Sequence, residues 1–581
     1  ATSVMSEQEL DQTLSGLLST PFLVNAGPEQ YTCPIDPNRE TKLNDFHIRG
    51  TSLGGWMVLE PWLTPSLFYQ FLGASKKWGD DAKNHVGIDS KTFCTALGSK
   101  EANRQLRNHW KTWVDDDQIR RLAEIGVEHL RIPIADWMYV PYEPFIGCWD
   151  GALEEMDRVL DLCEKYNIGV LLDLHAVKHS QNGLDNSGDT SHFAWVGNLT
   201  SSGAAYYEHW NMRGGDWIAP LEESIEVTDL VYMSTNVPHI IDTLHVVNLI
   251  VERYKNRKVV MGLEPVNEPW DKIPLALLKE FYWRSYQIIQ LKAPHWITLL
   301  HDSFRLSKEN FGSFMTNCDN YAIDSHIYQA WAWENTAEWF QEHACEDKMR
   351  LVEMEALGVP IVVGEWSLAT DNCAMWLNGL NDNVPGYPKV TCEMIECPAP
   401  YMGKDALQPN APPDKSLPAQ DPFGTGGVSY VEYGMCPRDR PFAGERDVVR
   451  TLSYNKLHAF DPSTHGQFFW NFRTEFETRW DYQRAVELGW IPTDWNNNAT
   501  QHEIEHACDA VLNSKKLPNI VHRPLHDPAL TLYACLFAVF ACIVLVVVYL
   551  KHNVYSAYSS FKAQREGYEV VPDSRTVLEE P

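Results

Sequence analysis

Two glutamates follow apolar runs that have the character of buried strands. Glu268 stands in LEPVNEPW, residues 263–270, and Glu365 stands in PIVVGEWS, residues 360–367. Hydrolysis of a glycosidic bond needs one protonated carboxyl group that donates to the leaving oxygen and one ionised carboxylate that attacks or stabilises the anomeric carbon. Most glutamates are solvated surface groups, so a glutamate that closes a buried strand needs a reason. The pattern predicts a catalytic pair at Glu268 and Glu365.

A rigid scaffold must hold the two carboxylates, and the chain offers eight short apolar runs rich in β-branched residues. They lie at 47–56, 127–134, 168–175, 259–268, 296–302, 321–328, 360–366 and 467–472. Helical patterns such as 101–125 and 153–166 separate several of them. Strands that alternate with helices predict a parallel sheet, and eight repeats predict a closed (β/α)8 TIM barrel of the α/β class. Glu268 then closes the fourth strand and Glu365 the seventh, at the face where such barrels carry their sites.

Further polar or aromatic residues fall at the predicted ends of other strands. Arg131 belongs to the second strand, His175 to the third, His326 and Tyr328 to the sixth, and Trp470 to the eighth. A single histidine or arginine at a strand end is usually a hydrogen-bonded structural residue. Their convergence on one rim favours a functional site.

Several long motifs carry a resemblance to a known family. They are IRGTSLGGWMVLEPWLTPSLF (48–68), HWKTW (109–113), HLRIPIADW (129–137), LDLHAVKHSQNGLDNSG (172–188), VNEPW, DSHIYQAW (324–331), VGEWSLATDNCAMWLNG (363–379) and FFWNFRTE (468–475). Over residues 40 to 510 the chain resembles the exo-β-1,3-glucanase branch of glycoside hydrolase family 5. The order of the motifs makes this resemblance more specific than either glutamate alone.

The resemblance implies a role for each matching residue. Glu268 is implied to be the acid/base and Glu365 the nucleophile of a retaining hydrolysis through a covalent glucosyl-enzyme, without metal or cofactor. The subsite around the cleaved sugar is implied to comprise Arg131, His175, Asn267, His326, Tyr328 and Trp470. Glu60, Asp185 and Asn186 match positions that bind the terminal glucose, which implies a closed pocket and release of glucose from non-reducing ends of β-glucan.

The pocket entrance departs from the resembling fungal enzymes. Two phenylalanines flank their entrance, whereas the matching positions here hold Leu184 and Trp331. Because an aromatic ring buries more area than leucine, we expect Trp331 to supply most of the binding on the leaving-group side.

The residue types also suggest protonation states. Arg131 is permanently charged and Tyr328 is a hydrogen-bond donor, so both are expected to lower the pKa of Glu365 and keep it ionised. Glu268 is expected to be held protonated. Asn267 is suited to the sugar 2-hydroxyl. Trp470 is either a platform for a pyranose face or an ordinary core tryptophan.

Composition limits the partners. The chain of 581 residues has a formal net charge of −30, and 44% of its residues are hydrophobic. A strongly acidic chain is a poor partner for nucleic acid or anionic lipid, which bind basic patches, whereas a neutral glucan imposes no such requirement. We expect a monomer with a β-glucan substrate.

One segment, residues 529–550, contains no charged residue. As a helix it would extend roughly 33 Å, enough to cross a bilayer, so it predicts a single C-terminal transmembrane helix. Basic residues flank it on both sides, and the positive-inside rule therefore does not orient it. The predicted organisation is a lead-in (1–40), the hydrolase domain (41–510), a stalk (511–528), the span and a short tail (551–581).

Cysteines provide an argument about compartment. Of 13 cysteines, Cys535 and Cys542 lie in the predicted span, and the others include Cys373, Cys392, Cys397, Cys436 and Cys508. This usage favours disulfides and an extracytoplasmic catalytic domain over a zinc site, with a cytosol-facing, tail-anchored protein as the alternative. The sequons at Asn198 and Asn498 permit glycosylation in such a compartment.

The stretch at about 381–447 is rich in proline, glycine and cysteine and lies between the seventh and eighth predicted strands. It forms either part of the site wall or a surface elaboration. Two alternatives to the exo-glucanase remain: an endo-acting or transglycosylating β-glucanase, and a catalytically silent glucan-binding surface protein.

Overall fold

The structure is a computed structural model of the chain. It describes residues 7–19, 31–34, 47–71, 77–78, 81, 84–190, 193–195, 205–207, 218–220, 233–332, 337–370, 374, 376–377, 380, 445–475 and 477–514. The chain divides into two compact units, Ala1–Leu512 and Asn513–Pro581. The elements below lie in the first unit, except that the last helix runs two residues beyond it.

Eight parallel strands form a closed barrel, which confirms the predicted (β/α)8 fold. In chain order they are β1 (Ile48–Ser52), β2 (His129–Ala135), β3 (Gly169–Ala176), β4 (Val260–Glu264), β5 (Ile297–His301), β6 (Tyr321–Ile327), β7 (Ile361–Trp366) and β8 (Gly466–Phe469). Each strand pairs with its neighbours in sequence, and β8 closes the ring by pairing with β1. Two short antiparallel pairs lie outside the barrel: Phe193–Trp195 with Ala205–Tyr207, and Ile218–Pro220 with Met233–Thr235.

The side chains that share one face of the barrel strands form two layers, one apolar and one polar. Near the strand N-termini these side chains form a small cluster of Ile48, Leu171, Ile297, Leu299, Ala322, Val362 and Phe468. Two residues further along the same faces, polar groups replace them, for example Asp173 after Leu171 and Asp324 after Ala322. Since residues i and i+2 of a strand share a face, the polar layer lies towards the carboxyl ends of the strands.

Three predicted placements at strand ends are wrong in detail. β4 ends at Glu264, so Glu268 does not close this strand but lies in a turn four residues later, with φ +39°. β8 ends at Phe469, so Trp470 follows the strand. Arg131 is the third of the seven residues of β2 and does not end it.

Helices surround the barrel. They are α1 (Glu7–Ser19), α2 (Pro65–Phe68), α3 (Ser90–Leu97), α4 (Ser99–Trp113), α5 (Asp116–Glu124), α6 (Ala152–Tyr166), α7 (Val237–Tyr254), α8 (Leu275–Lys292), α9 (Lys308–Phe311), α10 (Ala337–Ala356), α11 (Glu445–Phe460), α12 (Tyr482–Glu487), α13 (Asn498–His506) and α14 (Asp509–Ser514). Short 3-10 helices lie at Tyr69–Phe71, Asp136–Met138, Asp185–Ser187 and Thr478–Trp480. The single helix predicted at 101–125 is two helices, because the Asp115 side chain accepts a hydrogen bond from the Gln118 N–H and starts α5.

Three disulfides join distant parts of the described chain. They are Cys33–Cys318, Cys94–Cys148 and Cys345–Cys508. Among the cysteines that the structure describes, Cys163 is a free thiol and is buried. Cys373, Cys392, Cys397 and Cys436 lie outside the described residues, as does the predicted insertion up to residue 444.

The predicted membrane span, 529–550, also lies outside the described residues. Within the described parts of the chain, no helix combines the length and the apolar character that crossing a bilayer requires. The predicted domain boundaries stay predictions.

A buried histidine behind the barrel mouth generates a prediction about stability. His109 of α4 is fully buried and its Nε2 lies 2.7 Å from the Gly55 carbonyl oxygen. Burial lowers the pKa of His109 to about 4, against a smaller opposing effect of its hydrogen bond to Gly55. The unfolded chain therefore takes up this proton first, and the histidine opposes folding progressively as pH falls from about 6.5 to about 4.

We expect the free energy of unfolding to lose up to about 3 kcal/mol across that pH window because of His109. In His109→Gln the decline between pH 7 and pH 5 should be shallower than in the wild type, even if the variant is less stable at pH 7. Denaturant unfolding at both pH values measures this slope. His502→Gln, which changes an exposed histidine on α13, is the control; equal slopes in all three proteins would contradict the prediction.

Candidate active site

The centre of the polar layer is the guanidinium of Arg131, which is fully buried. Its Nε donates to Glu264 at 3.0 Å, its Nη1 to Glu365 at 2.6 Å and its Nη2 to Asn267 at 2.7 Å, while Asp173 lies 3.1 Å from Nη2. One cation from β2 thus contacts residues that follow or belong to β3, β4 and β7. Burial lowers the pKa of Arg131, but the charges of Asp173 and Glu264 outweigh that effect and raise it.

His175 extends this network to the third and eighth strands. Its Nδ1 lies 2.6 Å from Asp173, and its Nε2 lies 3.4 Å from the Asn267 amide nitrogen. The indole of Trp470 stacks on the imidazole, with ring centres 5.6 Å apart and planes 6° from parallel. The structure therefore brings the predicted His175, Asn267 and Trp470 together beside Arg131.

Glu365 lies near the end of β7, and its two oxygens accept from different donors. Arg131 holds one oxygen, and the Tyr328 hydroxyl donates to the other at 2.7 Å. The preceding residue must be small, because a Cβ at Gly364 would overlap the Asp324 carboxylate, which accepts the Gly364 N–H at 2.6 Å. The GEW sequence thus lets Asp324 approach the backbone beside Glu365.

Glu268 is held by one side chain from β6 and one from the 3-10 helix Asp185–Ser187. His326 Nδ1 lies 2.7 Å from one carboxylate oxygen, and the Asn186 amide donates to the other at 2.9 Å. The same His326 nitrogen lies 3.4 Å from Glu365. A single ring nitrogen therefore contacts both predicted catalytic carboxylates.

The two carboxylates have different protonation tendencies. Burial raises the pKa of Glu268, but the hydrogen bond and charge of His326 outweigh it and hold the pKa of this carboxyl well below its usual range. Burial raises the pKa of Glu365, and the charges of His326 and Arg131 offset this only in part. Burial lowers the pKa of His326, but the charges of Glu365 and Asp324 raise it well above its usual value.

This order differs from the expectation from sequence, in which Glu268 is held protonated and Glu365 has a lowered pKa: the pKa of Glu268 is lowered and that of Glu365 is raised. The reason is His326, whose Nδ1 is closer to Glu268 than to Glu365. The lowered pKa of Glu268 and the raised pKa of His326 favour a proton on the imidazole, one hydrogen bond away from the carboxylate. Arg131 and Tyr328 still require Glu365 as an acceptor.

The predicted glucose-binding residues lie on the loops above the barrel. Glu60 is buried and accepts from the Trp62 indole at 3.0 Å. Burial raises the pKa of Glu60 well above its usual range, and the charges of Asp185, Glu365 and Glu268 raise it further. Glu60 is thus electrostatically coupled to Asp185, Glu365 and Glu268.

The two predicted entrance residues differ in surroundings. Trp331 is half-buried and meets Tyr328 and Trp480 edge to face, at ring-centre distances of 5.9 and 6.2 Å. Leu184 is buried, with 9% of its surface exposed. Trp331 therefore packs against the tyrosine that holds Glu365, and Leu184 offers little surface.

Sequence reasoning missed two residues at the end of β5. His301 is buried, and its ring meets that of His326 edge to face at 4.3 Å. Phe304 is 49% exposed and meets the His301 ring at 5.1 Å. The signal was present, because HDSF places a histidine and an aromatic residue at the carboxyl end of a barrel strand.

Comparison with known proteins now identifies the family. The family description "Cellulase (glycosyl hydrolase family 5)" matches residues 94–384, about half of the chain. A glucan 1,3-beta-glucosidase of Blumeria graminis is 31% identical over 465 residues, which cover 77% of this chain and 87% of that protein. The chain belongs to glycoside hydrolase family 5.

Other similar proteins are more distant. Glucan 1,3-beta-glucosidase 2 of Candida albicans is 26% identical over 500 residues, covering 82% of this chain and 90% of that protein. Among solved structures, a rutinosidase from Aspergillus niger aligns with a TM-score of 0.48 and 16% identity, over 77% of this chain and 98% of that one. Membership of family 5 makes this protein a glycoside hydrolase.

Two overlapping groups in this family 5 site have ligand atoms close enough to share a metal ion. They are Glu268 with His301 and His326, and Glu264 with Asp324 and His326. Glu264 is also bound by the Arg131 guanidinium, and Glu268 by Asn186. Each set thus already has hydrogen-bonding partners, and a dication beside Arg131 would be repelled. The expectation that no metal is needed stays a prediction.

The Tyr328 hydroxyl generates a prediction about pH. It donates to the ionised form of Glu365, so its removal in Tyr328→Phe should raise the pKa of Glu365 further. Because attack requires the ionised carboxylate, the acidic limb of the kcat/KM profile should move up by about one pH unit. Steady-state rates on an aryl glucoside from pH 3 to 8 measure this shift.

The control is Tyr321→Phe, which removes a buried hydroxyl from the start of β6. Its acidic limb should stay where the wild-type limb lies. An unchanged limb in Tyr328→Phe would mean that this hydroxyl does not set the pKa of Glu365.

Proposed function

We propose that this family 5 enzyme is a retaining, exo-acting glucan 1,3-β-glucosidase that releases glucose from non-reducing ends of β-glucan. The observation that carries the proposal is the shared contact of His326 Nδ1 with Glu268 at 2.7 Å and Glu365 at 3.4 Å. Two oxygens that contact one atom at these distances are at most about 6 Å apart. Retaining glycosidases separate their carboxyl groups by about 5 to 5.5 Å, and inverting enzymes by about 6.5 to 9.5 Å.

In the first step Glu365 attacks the anomeric carbon while Glu268 protonates the leaving oxygen. Arg131 and Tyr328 orient both oxygens of Glu365, which fixes the attacking carboxylate. His326 passes its Nδ1 proton to Glu268 along their hydrogen bond, so the pair becomes a neutral imidazole and a carboxylic acid without a change in total charge. In the second step Glu268 takes a proton from water, and that water cleaves the glucosyl-Glu365 ester with net retention.

Two residues beside the carboxylates, Asn267 and Trp470, are suited to bind the sugar. Asn267, whose amide oxygen is held by Arg131, directs its nitrogen towards the side where His175 lies and is suited to a 2-hydroxyl. Trp470, held flat against His175, offers its ring to the pyranose face.

Exo action is supported by the outer loops. Glu60 and Asp185 form an acidic pair beside the catalytic glutamates, and the raised pKa of Glu60 makes it a donor as well as an acceptor for sugar hydroxyls. Such a pair suits the terminal glucose of a glucan chain, which is rich in free hydroxyls, better than an internal glucose of that chain. The β-1,3 linkage rests on the similar glucan 1,3-beta-glucosidases of Blumeria graminis and Candida albicans.

An endo-acting or transglycosylating β-glucanase is the alternative within the same chemistry. Product analysis on laminarin separates the two, because exo action releases glucose with the β-anomer first, whereas endo action gives a ladder of oligosaccharides. A catalytically silent glucan-binding protein would need neither the Arg131 and Tyr328 contacts to Glu365 nor the His326 contact to Glu268.

We propose an extracytoplasmic catalytic domain, with a membrane anchor at 529–550. Three disulfides in the described chain support this compartment. The sequon asparagine Asn498 is exposed at the start of α13, where a glycan meets no steric obstacle from burial.

The carboxylate roles generate the first prediction of this proposal. Glu365→Ala should lower turnover by about 10³-fold or more, and azide should restore part of it with inverted product. Glu268→Ala should retain activity on 2,4-dinitrophenyl glucoside, whose leaving group needs no proton, and lose it on laminarin. Glu280→Gln, a buried glutamate that pairs with Arg284 on α8, is the control. Near wild-type turnover of laminarin by Glu365→Ala would overturn the nucleophile assignment.

The entrance generates the second prediction. Trp331→Ala should lower kcat/KM for laminari-oligosaccharides about tenfold, and lower that for an aryl glucoside less, because the aryl substrate depends less on leaving-side binding. Leu184→Phe should raise the ratio of transglycosylation to hydrolysis. Equal losses on both substrates for Trp331→Ala would assign this ring to packing around Tyr328 and Trp480.

The compartment generates the third prediction. The full chain expressed in a eukaryotic secretory host should resist carbonate extraction, and truncation after Arg523 should give a soluble, active enzyme. Endoglycosidase treatment should increase the gel mobility of the truncated wild type, and Asn498→Gln should remove part of that shift. Full-length protein in the carbonate supernatant would contradict the anchor, and the absence of any glycan shift would contradict glycosylation.

A further inference from the structure

The backbone that carries Glu268 is held in an unfavourable conformation. Glu268 has φ +39°, in the left-handed region that L-residues other than glycine rarely adopt. Such a conformation costs free energy and persists only where the surrounding structure enforces it. Glu268 lies four residues after the end of β4, so strand pairing does not enforce it.

Three buried side chains hold the carbonyls of this turn. Gln181 Nε2 donates to the Asn267 carbonyl at 2.8 Å, Asn182 Nδ2 donates to the Glu268 carbonyl at 3.0 Å, and Ser303 Oγ donates to the Pro269 carbonyl at 2.8 Å. The exposed fractions of Gln181, Asn182 and Ser303 are 1%, 2% and 0%. Three successive carbonyls, at 267, 268 and 269, are therefore fixed by donors that solvent does not reach.

The donors come from both sides of the turn. Gln181 and Asn182 follow β3, whereas Ser303 follows β5. The Glu268 turn is therefore held by the segments that follow the two strands on either side of β4. The two sides are themselves anchored. Gln181 also donates to the His175 carbonyl at 2.8 Å, and its own carbonyl accepts the Trp270 N–H at 3.2 Å.

Ser303 is arranged for this contact. It also has a left-handed backbone, with φ +54°, and its N–H donates to His301 Nδ1 at 2.9 Å. Arg305 Nη2 donates to Ser303 Oγ at 3.1 Å, which leaves the single hydroxyl hydrogen for the carbonyls of Pro269 and, at 3.1 Å, Trp270. A β-branched residue would be disfavoured at this φ, so serine combines a hydroxyl with a tolerable left-handed conformation.

We propose that Gln181, Asn182 and Ser303 are positioning residues for the acid/base carboxyl, acting through the carbonyls of residues 267 to 269. They fix the direction in which Glu268 leaves the backbone and therefore its alignment with the leaving oxygen. The inference rests on the proposed role of Glu268 as acid/base. A positioning role differs from a general role in stability, because its loss impairs one step, the proton transfer from Glu268 to the leaving oxygen.

The test is the dependence of the defect on the leaving group. Ser303→Ala and Ser303→Gly both remove the hydroxyl, and the glycine variant also relieves the left-handed backbone. In both, kcat/KM for laminaribiose should fall about tenfold, because proton donation is sensitive to misplacement. For 2,4-dinitrophenyl glucoside, which needs no proton, it should fall less than about twofold. Thr243→Val removes a buried hydroxyl that donates to the His239 carbonyl on α7 and should change neither rate.

Equal losses on the two substrates would overturn the proposal, as would wild-type rates on both. Thermal unfolding identifies variants that do not fold. If the serine variants do not fold, Asn182→Ala, which removes a donor from the opposite side of the turn, replaces them and is judged by the same criteria. If the wild type itself fails to hydrolyse laminaribiose, the proposed function fails instead. A wild type that cleaves it, with serine variants that lose both rates equally, leaves the function standing and removes the positioning role.

Discussion

The compensation of buried acids by Arg131 is the constraint on which the rest of the site depends. Its guanidinium is excluded from solvent and contacts Asp173, Glu264 and Glu365 within 3.1 Å. Carboxylates in such a place would be protonated or would destabilise the fold without a cation, because desolvation of an unpaired charge is very costly. The arrangement ties strands β2, β3, β4 and β7 together at one level of the barrel. It also fixes the position of the Glu365 carboxylate.

The barrel could be predicted because its signals are local. Every predicted strand overlaps an observed one, since apolar runs between helices report burial on both faces of a strand. The position of Glu268 could not be predicted in this way. The turn that carries Glu268 is held through its carbonyls by Gln181, Asn182 and Ser303, which are distant from it in sequence.

The contacts among the predicted site residues could be expected from their types, but the direction of their pKa shifts could not. Arg131 and Tyr328 do contact Glu365 as expected from their types. Burial raises the pKa of Glu365, whereas at Glu268 the hydrogen bond and charge of His326, whose Nδ1 lies 2.7 Å from Glu268 and 3.4 Å from Glu365, outweigh burial. Sequence contains no information at that scale. Phe304 and His301 were not predicted because they lie outside the motifs that carry the family resemblance.

The seam of the barrel has a consequence for how this enzyme is made. β1 pairs with β8, so the barrel closes only when residues near 468 are available to pair with residues near 50. Trp470 and Asn471 arrive with β8, and the Asn471 side chain accepts the Gly54 N–H at 2.7 Å. Synthesis must therefore pass residue 469 before the ring closes and Trp470 stacks on His175, and until then β1 keeps an unpaired edge. A chain that has not yet reached β8 therefore has an open barrel, and the unpaired edge of β1 is a site for non-native strand pairing until the last strand is made.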